Sequence, residues 1–405
     1  MGGTKKGFTL VEILIAIAIL GVLSAATFIA INPSERFKQS RDTERVADIS
    51  NLNTLITQKR YSHVRRDLGN AQVVYISLPD TSATCSSYTL PTLPSGWSYA
   101  CVTQEDVLNV DGTGWLPVDI SESRAMSALP LDPLNTQDYF YAYTIDSDEA
   151  FILTTALESE EKLKGTALTD GGNDDVRFEK GTNLALWDKV SGLVAYWPLN
   201  EGTNIIVVDK TTNTNNGTLV NNPTWESGED CFRENCISFD GINDHIIVSN
   251  SASLNPSSEI TFSVWIKPTD ITTSRYYSIM RQDSGANRKL LAFQEYGTVL
   301  ALGLNIGGTY GETDSLIDPD DFTDGQWHHI VYTYNGNFVN LYVDGSLKNG
   351  PVPRTGVIAS ETAQFVIASN KTTSEFFKGS IDDIRVYERA LTQSEIESMY
   401  KMKVD

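Results

Sequence analysis

Retaining glycoside hydrolysis needs two acidic side chains about 5.5 Å apart, and neither E-x-D-x-E nor E-x-D-x-x-E occurs in the 405 residues. Asp382 and Asp383 are adjacent, and neighbouring side chains of a strand face opposite ways, so they are not expected to form that pair. His328 and His329, beside Trp327, divide by the same rule into one core and one surface residue. The motifs H-E-x-x-H and G-x-S-x-G and a phosphate-binding glycine loop are absent. Cys85, Cys101, Cys231 and Cys236 form no C-x-x-C and have no histidine at zinc spacing. These absences point to a binding module, not an enzyme. Asp382 is the side chain whose position asks for chemistry. It has the strand parity of Ile384 and Val386, and a carboxylate on an apolar face needs a cation or a set of donors.

The elements that must position these residues differ along the chain. Hydrophobic residues make up 40% and charged residues 20%, an ordinary globular composition of two or three domains. Net charge is −21, unevenly spread. Residues 1–66 carry 10 basic and 5 acidic side chains, residues 67–190 carry 6 and 20, and residues 191–405 carry 15 and 27. Heads this acidic do not displace counterions from phosphate, so nucleic acid is an unlikely partner. Lys59, Arg60, Arg65 and Arg66 form one basic cluster, read as a solvated helix end.

From Phe8 to Ile31 the single charge is Glu12. A helix of that length crosses the roughly 30 Å hydrocarbon layer, and it exceeds the apolar region of a cleaved secretory signal. Asn32-Pro33-Ser34-Glu35 then reads as a helix start with Glu35 at the capping-box position. Val46, Ile49, Leu52 and Ile56 recur at helical spacing. One long helix is expected, apolar in residues 8–31, amphipathic to residue 66, and kinked near Pro33. Glu12 costs a few kcal/mol in such a span unless it finds a partner or the interface.

Gly7-Phe8-Thr9-Leu10-Val11-Glu12, after the basic leader Met1 to Lys6, resembles the class III signal of type IV pilins and type II secretion pseudopilins. The resemblance implies cleavage by the prepilin peptidase after Gly7, methylation of Phe8, and pairing of Glu12 with a neighbouring subunit's N-terminal amine. It implies insertion in the inner membrane, then an extracellular filament on a bacterial surface. The family's proline usually stands four positions before Pro33, and Lys/Arg counts around the span do not orient it. In such an exported chain the cysteines are expected to form two local disulfides, Cys85–Cys101 and Cys231–Cys236.

Residues 67–180 read as strand and loop, with Val73–Ile76 and two runs, 139–145 and 151–157, joined by the turn-prone Asp146-Ser147-Asp148. Leu129 to Asn135 and Ala156-Leu157-Glu158 resemble the globular part of pilins. Residues 158–191 gather glycine and acidic side chains, as in Asp170-Gly171-Gly172-Asn173-Asp174-Asp175. Their spacing fits no defined metal-binding loop, and the stretch reads as a solvated connector, with the linker proper at 181–191.

Residues 192–400 read as a β-sandwich, its clearest strands at 260–266, 299–304, 327–334, 338–343 and 381–387. Thr392-Gln393-Ser394-Glu395 is a capping box for a short terminal helix. Gly192 to Trp197, Asn216 to Leu219, Phe239-Asp240-Gly241, Phe262 to Pro268, Trp327 to Ile330, Tyr342 to Gly345 and Gly379 to Tyr387 resemble the laminin G-like, concanavalin A-like jelly-roll family. Related modules often place an oxygen ligand near Asp209, so calcium at Asp209 and Asp382 is the expected cofactor; an aspartate bonded to loop amides is equally open.

The expectation is a multidomain α+β chain: leader 1–7, pilin helix 8–66 with a transmembrane part 8–31, pilin-like head 67–180, linker 181–191 and an all-β jelly roll 192–400. The function read from it is a minor or adhesive pilin-like subunit. Its partners would be other pilins, the prepilin peptidase, the inner membrane, and a carbohydrate or surface protein bound by the sandwich. The alternative is a major pilin or a pseudopilin of a type II secretion or DNA-uptake machine. A membrane-anchored glycosidase is disfavoured by the missing carboxylate pair.

Overall fold

Asn32 divides the N-terminal helix in a computed structural model that describes residues 10–61, 67–285, 287–370 and 375–402, with backbone alone for 21–31. Helix α1 runs Leu10–Ile31 and α2 runs Pro33–Tyr61. Between them Asn32 has φ 41°, a left-handed conformation that asparagine tolerates, and Pro33 fits the first turn because its missing N–H would have no helical acceptor there. A cap residue is usually extended, which Asn32 is not, and Glu35 Oε1 accepts from the backbone N–H of Glu160 at 2.9 Å. That bond holds the start of α3, Glu160–Gly165.

Among the described residues no helix is long and apolar enough to cross a membrane; the apolar run 8–31 extends at both ends beyond the side chains described. Within α1, Leu10, Val11, Leu14 and Ile17 are all exposed. In α2 the helical spacing works as expected: Ile49, Leu52 and Ile56 are fully buried against a five-stranded head sheet. Its strand order is 98–100, 73–76, 141–145, 151–156, 177–181. The 145-to-151 turn is set by Asp146, whose Oδ1 accepts from the N–H groups of Asp148 and Ala150, both at 2.9 Å.

Arg45 ties α2 to that sheet. Fully buried, it donates to Asp132 at 2.7 and 2.9 Å and to Asp42 at 2.8 Å, and it also meets Glu158. Asp42 in turn accepts from the backbone N–H groups of Glu158 and Ser159. A buried guanidinium persists when its donors are filled in this way.

Residues 158–191 are not a solvated connector. They hold α3, the strand Arg177–Gly181 and helix α4, Leu186–Ser191. Gly192 closes α4 with φ 72°, a conformation cheap only for glycine, and the chain enters the strand Leu193–Trp197 directly. The reading missed this because the segment's order comes from buried carboxylates, which carry no apolar period.

The sandwich has two eight-stranded sheets. One runs in the order 346–353, 338–343, 328–334, 260–268, 378–387, 235–240, 224–227, with 193–197 also on 378–387. The other runs 309–316, 299–306, 288–294, 276–283, 365–367, 245–248, 217–220, 206–207. Between them lies a core that includes Trp197, Phe239, Phe262, Val264, Leu302, Tyr332 and Ile384. The first sheet's outer face is covered. Val331, Tyr342 and Tyr387 join Ile396 and Met399 of helix α5, Gln393–Lys401, and the head residues Leu52, Leu163 and Phe178 in one continuous apolar cluster. Burying a side chain of this size contributes about 1.5–3 kcal/mol, so head, terminal helix and sandwich stabilise one another. The capping box opens α5 as expected, with Thr392 and Glu395 exchanging bonds.

Candidate functional site

The two aspartates of the strand Lys378–Tyr387 do not lie as strict alternation requires. Trp265 pairs with Asp382 and Ser263 with Arg385, so an extra residue is accommodated between them, and Asp383 has φ 45°. A bulge of this kind shifts parity by one. Ile381, Ile384 and Val386 all enter the sandwich core, while Asp382 and Asp383 both meet Arg233. Asp382 is therefore not on the apolar face. Its Oδ2 accepts from the Arg233 backbone N–H at 3.1 Å and its Oδ1 from that of Asp383 at 2.8 Å.

Around the bulge a charge network joins the sandwich to the head. Arg385 donates to Asp383 at 2.8 Å and meets Asp175 of the head. Arg233 reaches Asp175 at 2.8 Å and Asp383 at 2.9 Å. Tyr196 lies under the Arg385 guanidinium, 4.1 Å from its ring centroid. Burial raises the Asp175 carboxyl, but the Arg385 and Arg233 charges outweigh that and hold it below its ordinary range. Asp382 is pushed well up by burial and by its neighbour Asp383. Sequence reasoning missed Arg233 and Arg385 because their acceptor, Asp175, stands 58 and 210 residues away.

Asp209 is saturated by donors. Its Oδ1 accepts from the N–H groups of Tyr196 at 3.0 Å and Thr211 at 2.9 Å, and its Oδ2 from Asn215 N–H at 2.8 Å and the Thr211 hydroxyl at 3.0 Å. This is the loop-amide alternative. Asp209 and Asp382 share no ligand set, and among the described residues no three His, Cys, Asp or Glu side chains are grouped to hold a metal ion.

His328 and His329 take opposite faces. His328 bridges Asp344 at 3.0 Å and Asp324 at 3.1 Å; these partners outweigh burial and raise its pKa. His329 is fully buried, stacked on Trp265 at 4.8 Å, and burial pushes it down to about 4. Both disulfides are present, Cys85–Cys101 and Cys231–Cys236. The second places Phe232 against Trp265, ring centroids 3.8 Å apart. Glu12 lies in the first turn of α1, exposed to solvent. Gly7, Phe8, Arg65 and Arg66 fall outside the described residues.

Comparison with known proteins gives two family matches. The prokaryotic N-terminal methylation motif matches residues 3–28, and the concanavalin A-like lectin/glucanases superfamily matches residues 240–397. The chain thus carries a prepilin signal and a lectin-like jelly roll. A curated relative, adhesion G-protein coupled receptor V1 of Danio rerio, is 22% identical over 153 residues, 35% of this chain and 2% of the receptor. Among solved structures, domain 4 of an extracellular arabinanase from Geobacillus stearothermophilus, in complex with arabinotriose, is 21% identical. It covers 51% of this chain and 98% of its own at a TM-score of 0.41. The binding domain of Paraclostridial Mosquitocidal Protein 1 is 19% identical and covers 52% of each chain at 0.42. The chain spans about half of the latter.

Proposed function

We propose that this protein is a minor or adhesive subunit of a type IV filament, anchored by α1 in the inner membrane before assembly and in the filament core afterwards. It displays a non-catalytic, carbohydrate-binding sandwich. The observation that carries the reading is the methylation motif at residues 3–28 on the same chain as a lectin-like domain at 240–397. The apolar run from Phe8 to Ile31 supports a membrane anchor, since its length matches a bilayer span. Glu12 is the residue proposed to pair with the neighbouring subunit's amine. The head that packs on α2 and buries one face of the sandwich is bulky, which favours a subunit placed sparsely or at a tip.

Filament assembly and glycan binding test the two halves separately. Glu12→Ala should leave membrane insertion intact, because a charge is removed from an apolar run, and should abolish incorporation into filaments. Wild-type incorporation would rule out the pairing role. On a glycan array the mature chain should bind without releasing reducing sugar; sugar release would make it an enzyme, and binding to no glycan would redirect the proposal to a protein partner. A calcium titration followed by melting tests the cofactor: a stabilisation lost in Asp382→Asn would assign calcium to Asp382, and no stabilisation would leave Asp209 and Asp382 to their backbone donors.

A further inference from the structure

Four carboxylates meet where the head touches the sandwich, and among the described residues none of them has an ion-pair partner. Glu179 of the strand 177–181 is fully buried, Asp188 of α4 is 3% exposed, and Asp170 and Asp174 flank them on the loop 170–175, half-buried. Glu179 Oε2 accepts from Asp174 N–H at 3.2 Å, while its Oε1 is buried with no hydrogen-bond partner. Gly172 closes over this carboxyl so tightly that an added Cβ would lie 1.6 Å from Oε2. Asp170 accepts from Gly172 N–H at 2.9 Å and from Glu179 N–H at 2.7 Å. Asp174 accepts from the Trp187 indole at 3.0 Å.

The same loop fastens the head to the sandwich. Asn173 Nδ2 donates to Asp188 at 2.9 Å and to the Lys210 carbonyl of the sandwich at 3.1 Å, and Asp175 is the acceptor of Arg233 and Arg385. Arg177 makes no ion pair with the cluster among the described residues, but its charge opposes the rise at Asp174 and also bears on Glu179. Its Nε donates to Thr154, its guanidinium lies over the Phe140 and Trp187 rings, and its Nη2 is buried without a hydrogen-bond partner. Arg389 holds Glu395 of α5. Lys180, beside Asp170, lies over the Phe178 ring, and Asp209, beside Asp188, adds negative charge. Tyr387 and Tyr196 face the cluster and its neighbour Asp175 with phenols whose ionisation burial opposes.

We propose that this seam is a proton-controlled latch: while Asp170, Asp174, Glu179 and Asp188 retain protons, the loop 170–175 holds the head against the sandwich, and their ionisation loosens it. Like charges gathered in a poorly hydrated site disfavour one another's ionised forms. Burial pushes Asp170 and Asp188 each up to about 7. Burial, then Asp174 and Asp170, push Glu179 well above the carboxylate range. A raised folded value means that the latch is fully held below the ordinary carboxylate value of about 4 and released as pH rises through about 7. Asp175, held ionised by its arginines, does not take part in that change. The sandwich would then be fixed relative to the filament in mildly acidic surroundings and freer to swing in alkaline ones.

Hydrogen exchange of the full chain in detergent, corrected for intrinsic rates at each pH, tests the latch. Between pH 5 and 8.5 protection of residues 170–190 should fall by about tenfold, the change that one pKa unit corresponds to, while the strand 328–334 keeps its protection. Glu179→Gln, or Asp188→Asn should the first variant fail to fold, should reduce that fall to less than about threefold. Unchanged protection in the wild type, or the same fall in a folded variant, overturns the proposal. Calcium is the third arm: if it restores protection at pH 8.5 in the wild type and not in Glu179→Gln, the cluster holds a cation rather than protons and the latch is wrong.

Discussion

The head buries carboxylates in two places and satisfies them in opposite ways. At α2, Asp42, Asp132 and Glu158 surround Arg45, with Arg41 adding a second bond to Glu158 at 2.7 Å. At the seam, Asp170, Asp174, Glu179 and Asp188 gather with no ion-paired cation among the described residues. The first arrangement stabilises ionised carboxylates: burial raises Glu158, but Arg41 and Arg45 outweigh it and hold the group below its ordinary range. The second stabilises protonated ones. One chain therefore contains a joint that acid weakens and a joint that base weakens, and the first lies between helix and head while the second lies between head and sandwich.

The contrast breaks most severely at Arg45. Arg45→Ala leaves three buried carboxylates without their common cation, and removing one partner of such a cluster costs about 3–5 kcal/mol. Urea unfolding of the full chain at pH 7 measures it; a loss under about 1 kcal/mol would show the cluster to be as replaceable as a surface ion pair.

Acid should reveal a second effect, intermediate in size. His329 is pushed down to about 4 by burial, so its neutral form contributes stability that is present above about 6.5, the ordinary histidine value, and lost as pH falls toward 4. Glu158, held low, acts in the same direction at still lower pH. The raised seam carboxylates act in the opposite direction over the same range, so the His329 contribution is read as a difference: the stability of the wild type relative to His329→Gln should fall as pH drops from 6.5 to 4. A difference that stays constant with pH would remove His329 from the acid response.

The smallest expected change is at α5. Thr392→Ala removes the side chain that accepts from Glu395 N–H at 3.3 Å and should cost about 1 kcal/mol. Because α5 is packed between head and sandwich, the loss should appear as a single shifted transition. Two separated transitions would show that the halves unfold independently.

Much of this architecture was legible because it repeats locally. Ile49, Leu52 and Ile56 mark a helix face, alternation marks the strands 260–268 and 299–306, and Thr392 with Glu395 marks a cap. The strands 276–283 and 288–294 escaped notice because Arg281, Gln282, Arg288 and Lys289 interrupt their apolar pattern, and each is held by partners visible only in three dimensions. Lys289, for example, is 1% exposed and donates to Gln282, Asn255 and the Leu254 carbonyl. The site was less legible for a related reason. Parity placed Asp382 on the apolar face, and a bulge at Asp383 moved it; nothing in Ile381-Asp382-Asp383-Ile384 announces an extra residue. The acidic run at 170–175 read as solvent-loving, whereas Asp175 is 4% exposed because arginines 58 and 210 residues later close on it.

The assignment as a filament subunit rests on the N-terminus, and intact mass spectrometry of the chain isolated from its native membrane reaches it directly. The account predicts a product that begins at Phe8, carries one added methyl group and lacks Met1 to Gly7. A chain that retains Met1, or one cut near Ala25 or Ala26 as a secretory signal would be, contradicts it.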